Sequence, residues 1–215
     1  MPANLLSGNY QKKCIKGSKF LSSLDQDWNS LVSSVGPCKL NLSIELEPYQ
    51  ALIKSVIFQQ LRPASATAIF NRFKQNFDNN FPTEEKILAS PESKLKESGL
   101  SFNKRKTIIE IAKHEQKGEL ENRKGFLMMN DIQIIEKLTK IKGIGEWTAQ
   151  MLMIFNLGKL DVFPVSDFAL KKNYSLFKSI ALPITVKELS KISEEWKPFR
   201  SIAAWYLWRY KNILN

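Results

Sequence analysis

From Tyr49 onward, the apolar residues Leu52, Ile53, Val56 and Ile57 recur at helical spacing and share one face. The pattern breaks at Gln60-Leu61-Arg62, because Arg62 precedes Pro63 and a residue before proline is pushed out of the helical region. Pro63 suits the first turn of a new helix, with Ala66, Ile69, Phe70, Phe73 and Phe77 as its stripe. Gln60 to Arg62 is therefore expected to be a tight, exposed turn between two buried helices. Similar punctuation recurs downstream. Ser90-Pro91 opens a short helix that Gly99 is placed to end, and Ile108, Ile109, Ile111 and Ala112 mark another, closed by Gly118. Asp131 can cap a helix carrying Ile132, Ile135 and Leu138, and Thr185 with Glu188 has capping-box spacing ahead of Leu189 and Ile192. A last helix after Pro198 carries Ile202, Tyr206 and Trp208. Strand-like alternation is best at Leu40-Asn41-Leu42-Ser43-Ile44. The pattern predicts a mainly all-α fold, a two-lobed helical bundle over residues 46–215. Residues 1–45 form an extended N-terminal region that packs on the helical core.

Composition narrows the function classes. In 215 residues, 43% apolar and 25% charged, there is ample material for a core and no signature of disorder. No apolar run approaches the ~20 residues needed to cross a bilayer, and no secretory signal is visible. Two cysteines, Cys14 and Cys38, can supply neither a disulfide framework nor the four thiolates of an iron–sulfur cluster. The single His114 argues against a histidine-based zinc site or a Ser-His-Asp triad. The chain reads as reduced, intracellular and metal-poor. Its net charge of +11 favours a polyanionic partner, nucleic acid ahead of an anionic membrane. Lys104-Arg105-Lys106 could touch a phosphate backbone, although a solvated surface is the favoured reading.

Ile141-Lys142-Gly143-Ile144-Gly145-Glu146-Trp147-Thr148-Ala149 lies between two helical patterns, Ile134, Ile135 and Leu138 before it and Met151, Leu152, Ile154 and Phe155 after it. Two glycines separated by a single residue permit a hairpin whose backbone approaches another surface with no Cβ in the way. A helix starting just past Gly145 turns its N–H groups and positive dipole end outward, an anion site suited to phosphate.

Together with Gln59-Gln60-Leu61, Asp161-Val162-Phe163, Ser166-Asp167 and Trp196-Lys197-Pro198-Phe199-Arg200-Ser201 followed by Trp208, this segment resembles the helix-hairpin-helix DNA glycosylase superfamily. Within it, the chain is similar to the compact form of the alkylation-repair branch, 3-methyladenine DNA glycosylase II. The likeness runs from about Pro48 to Arg209. It implies an active-site cleft between the lobes. It also implies a monofunctional enzyme that hydrolyses the N-glycosidic bond of alkylated purines flipped out of duplex DNA, 3-methyladenine first and 7-methylguanine second. Asp167 holds the position of the catalytic aspartate, where a fixed anion would stabilise the cationic sugar and orient or deprotonate the attacking water. Its other reading is the cap of the following helix. Asp161 is better read as structural. Bifunctional relatives carry a lysine at the position of Trp147 to form a Schiff base, which tryptophan cannot do. Trp147 and Trp208 would instead line a pocket for a cationic base, whereas Trp205 and Tyr206 are read as core.

The resemblance further implies a residue of the 60–62 turn that fills the gap left by the flipped base: Leu61, with Gln60 and Arg62 as alternatives. Lys142, Gly143, Ile144, Gly145 and Thr148 would contact the DNA. No metal and no cofactor is needed for such a hydrolysis. The partner would be double-stranded DNA, the protein a monomer, and its place the DNA-containing compartment, nucleoid or nucleus. The competing reading is a non-catalytic helix-hairpin-helix module that grips DNA without removing a base, in which Asp167 is dispensable.

Overall fold

Prolines and short polar side chains set the helix boundaries. The computed structural model describes residues 3–180 and 184–210, and among them every regular element is helical. In chain order the helices are α1 (Ala3–Ser22), α2 (Gln26–Val35), α3 (Pro48–Phe58), α4 (Pro63–Gln75), α5 (Glu84–Ala89), α6 (Glu92–Glu97) and α7 (Phe102–Gln116). They continue with α8 (Arg123–Met128), α9 (Asp131–Thr139), α10 (Glu146–Phe155), α11 (Phe168–Phe177), α12 (Val186–Ser193) and α13 (Arg200–Tyr210). The all-α reading holds. Pro48 and Pro63 stand in the first turns of α3 and α4, and Thr185 and Glu188 form the capping box of α12. No helix among the described residues is long and apolar enough to cross a membrane.

The chain divides between Leu42 and Ser43 and between Leu152 and Met153 into two compact units. One is the contiguous Ser43–Leu152; the other joins the N-terminal and C-terminal segments. In Ser43–Leu152, α7 packs against α3, α5 and α6. Tyr49, Phe58, Phe70, Phe73, Phe77 and Phe81 form a chain of rings with centroids 5.5 to 6.2 Å apart, the offset and edge-on spacings that aromatic quadrupoles favour. In the other unit, Trp28 of α2 meets Phe177 of α11 at 4.9 Å and Trp196 at 5.4 Å. Tyr206 of α13 is fully buried, with its hydroxyl 2.8 Å from the Gly36 carbonyl and 2.9 Å from Ser18 Oγ. Burial pushes that hydroxyl's pKa up to about 12.

Three sequence expectations need correction. The N-terminal region is not extended but forms α1 and α2, which pack on each other and on α13. Gly17 permits the approach, since a Cβ there would lie 2.9 Å from Ile202 and Phe199 side-chain atoms. Leu40–Ile44 is not a strand. No strand is present among the described residues to pair with it, and the Ile44 and Leu46 carbonyls accept from Arg123 Nη2 at 3.2 and 2.7 Å. Finally, Asn130 rather than Asp131 caps α9, accepting from the Gln133 N–H at 2.9 Å. The buried stripe is then Ile134, Leu138 and Ile141 at i, i+4 and i+7, and Ile132 is left exposed.

Candidate functional site

The unit formed by the two ends of the chain carries Asp167 and Trp208. A tight loop runs into Asp167, whose N–H donates to the Pro164 carbonyl at 2.9 Å. Asp167 caps α11, its Oδ1 accepting from the Leu170 N–H at 2.9 Å, and it remains half-buried. The capping geometry is therefore real, and it fixes the direction of the carboxylate relative to the helix. The start of the loop is pinned. Arg200 Nε and Nη2 hold the two Asp161 carboxylate oxygens at 2.8 and 3.0 Å, and Nη2 also donates to the Asp161 carbonyl at 3.0 Å. A planar guanidinium suits this bidentate grip. Ser201 adds to it, its Oγ accepting from the Val162 N–H at 2.9 Å and its N–H donating to the Leu160 carbonyl at 2.9 Å. Asp161 is thus occupied structurally, as its sequence position suggested.

Trp208 is half-buried on α13 and stacks on Phe155 in the last turn of α10, with centroids 5.7 Å apart and planes inclined by 29°. Sequence reasoning placed Phe155 only in an apolar helical run and did not single it out as the partner of Trp208. Its signal was slight, an aromatic ending an aliphatic run. Trp205 and Tyr206 are buried at 4% and 0% exposure, as the core reading required.

The Ser43–Leu152 unit carries the turn and the hairpin. Between α3 and α4, Leu61 is 38% exposed and its neighbours Gln60 and Arg62 are exposed as well. An apolar side chain turned to water at a helix–helix corner does not belong to the core. Gln60 adopts φ +53, and Arg62 is extended, as the following proline demands. Gln59 Nε2 donates to Thr148 Oγ1 at 2.7 Å, tying the turn to the first turn of α10 across 89 positions of sequence.

In the hairpin, Gly143 takes φ +94, and a Cβ there would lie 2.0 Å from Thr107 Oγ1. The residue must be glycine for both reasons. Gly145 differs: a Cβ there would meet nothing within 4 Å. Lys142, Gly143 and Gly145 are exposed, while Ile144 and Thr148 are buried at 4% and 2%. Ile144 therefore plugs the hairpin into the core, and the Thr148 side chain faces Gln59 rather than outward. Trp147 is half-buried in the first turn of α10. The basic run resolves unevenly. Lys104 does not wave in solvent: its Nζ donates to the Ile57 and Gln59 carbonyls, both at 2.8 Å. Arg105 Nε pairs with Glu92 at 2.9 Å, and Lys106 lies over the Phe102 ring.

Residues 53–199 match the model of the HhH-GPD superfamily of base excision DNA repair proteins. The chain is 39% identical over 202 residues to DNA-3-methyladenine glycosylase 1 of Schizosaccharomyces pombe, covering 93% of this chain and 89% of that protein. It is 36% identical over 200 residues to the alkylbase DNA glycosidase-like protein mag2 of the same organism, covering 92% and 94%. Among solved structures, the S. pombe 3-methyladenine DNA glycosylase in complex with abasic DNA superposes with a TM-score of 0.86 at 38% identity, over 90% of this chain and 95% of that one. The chain belongs to the HhH-GPD superfamily of base excision DNA repair proteins.

Proposed function

We infer that the protein is a monofunctional DNA glycosylase that hydrolyses the N-glycosidic bond of alkylated purines in duplex DNA, as the first step of base excision repair. One observation carries this: the 0.86 superposition on a 3-methyladenine glycosylase bound to abasic DNA, the product side of the reaction. In this reading Asp167 is the catalytic residue. Its carboxylate, aimed by the cap on α11, faces the sugar as the C1′–N bond breaks and positive charge builds there. The same group orients the water that completes hydrolysis, so no covalent intermediate is required. Trp147 offers no amine for a Schiff base, which supports base release without strand cleavage.

The stacked pair Phe155 and Trp208 supplies an electron-rich surface for a base that already carries positive charge, and half-buried Trp147, in the Ser43–Leu152 unit, is a second aromatic candidate for contact with such a base. Stacking recognises cationic 3-methyladenine and 7-methylguanine without hydrogen bonds to an intact Watson–Crick edge. Lys142, Gly143 and Gly145 approach the phosphate backbone, and Leu61 enters the space the flipped base leaves. Such an enzyme works inside the cell, where the DNA is, in nucleoid or nucleus.

The test is release of free base from methylated duplex DNA, followed by chromatography. Asp167→Asn should slow release at least about a hundredfold, the scale on which losing one preorganised group slows an enzyme. Equal release by both proteins would remove Asp167 from the chemistry. Tight duplex binding with no base released by the parent protein would establish the non-catalytic module instead.

A further inference from the structure

The turn between α3 and α4 is held in an unusual way. Gln60 has a β-carbon yet occupies the left-handed region at φ +53, a conformation that favours glycine. Such a conformation persists where the surroundings over-determine it. Two tethers do so, and both act through Gln59. The Gln59 side chain donates to Thr148 Oγ1 at 2.7 Å. Its carbonyl belongs to the peptide plane that sets Gln60's φ, and it accepts from Lys104 Nζ at 2.8 Å. The same ammonium takes the Ile57 carbonyl at 2.8 Å, one of the last-turn acceptors that α3 leaves without an intrahelical partner. Lys104 thus puts a cation at the negative end of α3 while fixing the plane from which the turn departs. Partial burial depresses its pKa below the ordinary lysine value, as expected for an ammonium that has given up water for carbonyl oxygens.

Lys104 also connects the turn to the hairpin. One helical turn along α7 stands Thr107, the residue packed directly beneath Gly143. The first two turns of α7 therefore seat the Gln59–Arg62 turn and the glycine hairpin on one rigid element, and the Gln59–Thr148 bond closes the frame from the α10 side. An isolated surface lysine would need none of this.

We propose that Lys104 is a positioning residue for base flipping: it holds the strained turn in register with the hairpin, so that Leu61 meets the duplex where the hairpin grips the backbone. The proposal rests on the glycosylase reading above. It says that Lys104 matters when a paired base must leave a stack and a gap must be filled, and matters little when the lesion is already unstacked.

The experiment compares single-turnover base release from a duplex and from the same methylated strand alone, for the parent protein, Leu61→Ala, Lys104→Met, Lys104→Arg and Gln59→Met. The ratio of the two rates is independent of the active fraction of a preparation. It therefore separates positioning from a general loss of fold. We expect Lys104→Met to lower the duplex rate about tenfold while the single-strand rate stays within about twofold, because misplacing a positioning group by ~1 Å costs one to two orders of magnitude. Leu61→Ala should show the same duplex-selective loss. Lys104→Arg, which can still donate to both carbonyls, should recover most of it. If Lys104→Met does not fold, Gln59→Met breaks the other tether and should lower the same ratio. Parallel losses on both substrates, an unchanged ratio, or no duplex-selective loss in Leu61→Ala would each overturn the proposal. Should the parent release no base from either substrate, the glycosylase reading fails. The positioning claim is then decided by affinity for a tetrahydrofuran abasic site in duplex against single strand, where Lys104→Met must weaken the duplex selectively.

Discussion

Two glycines two positions apart serve the hairpin for different reasons. Gly143 is locked in by φ +94 and by Thr107 beneath it, so alanine there requires both backbone strain and displacement of a threonine packed against it. Gly143→Ala should cost about 1–3 kcal/mol of stability, visible as a lower thermal midpoint. Gly145 has open space on its Cβ side and an ordinary φ. Gly145→Ala should leave the melting temperature within a degree or two, since a surface change of this kind shifts stability by no more than about 0.5 kcal/mol. On the proposed role of the hairpin it should nevertheless weaken duplex binding, because the added methyl would stand on the face offered to the phosphate backbone. A titration showing undiminished affinity would remove Gly145 from the interface. Both glycines were conspicuous in the sequence. The division of labour was not, because Thr107 is 36 positions from Gly143 and only the fold brings them together. Lys104 was hidden for the same reason: its partners, the carbonyls of Ile57 and Gln59, are main-chain atoms that no side-chain pattern records.

Most helices downstream of Pro48 could be read because their ends are marked locally, by Pro48, Pro63, Gly99, Gly118 and the Thr185–Glu188 box, whereas the six-residue α5 and α8 are too short to show an apolar period and were not read. α1 could not be read either. Its lysines, serines and two glycines make a weak helical pattern, and it is secured by distant groups, among them the Tyr206 hydroxyl on Ser18 and the close fit of Gly17 against Ile202. α2 has a local cap in Asp25, which accepts from the Trp28 N–H at 2.8 Å, and a distant ion-pair partner in Lys178, whose Nζ reaches Asp25 at 2.7 Å and Asp27 at 2.6 Å. Partial burial raises the Asp25 pKa, but the Lys178 bond and the Trp28 N–H outweigh it, so the folded value lies below the ordinary one. A depressed carboxylate contributes stability that is present above its unfolded pKa of about 3.9 and is lost as pH falls through the folded value. Lys178→Met should therefore cost about 0.2–1 kcal/mol near neutrality, the range for ion pairs still open to water. The gap between variant and parent should close during acid titration below about pH 4. A gap that persists to pH 2 would mean that the lysine stabilises through its packing over the Phe177 ring instead.

At the scale of the whole molecule, an excess of eleven positive charges predicts an affinity for DNA that falls steeply as salt rises. Each neutralised phosphate adds about −0.9 to the slope of log K against log salt. Lys142→Ala, which removes the exposed charge of the hairpin, should flatten that slope by roughly one such step on any duplex sequence. An unchanged slope would place the lysine away from the backbone. The division of the chain has its own consequence. Ser43–Leu152 is contiguous and can condense as soon as the ribosome has released it, whereas α1 and α2 pack on α13, the last described helix to be made. At about 5–20 residues per second, the first helices wait on the order of ten seconds for their partner. For that interval α1 and α2 have only each other to pack on, and Trp28 lacks its ring partners Phe177 and Trp196. Until α13 is made, the faces of α1 and α2 that it covers stay open to solvent, so the co-translational order of folding runs from the middle of the chain outward to its two flanks.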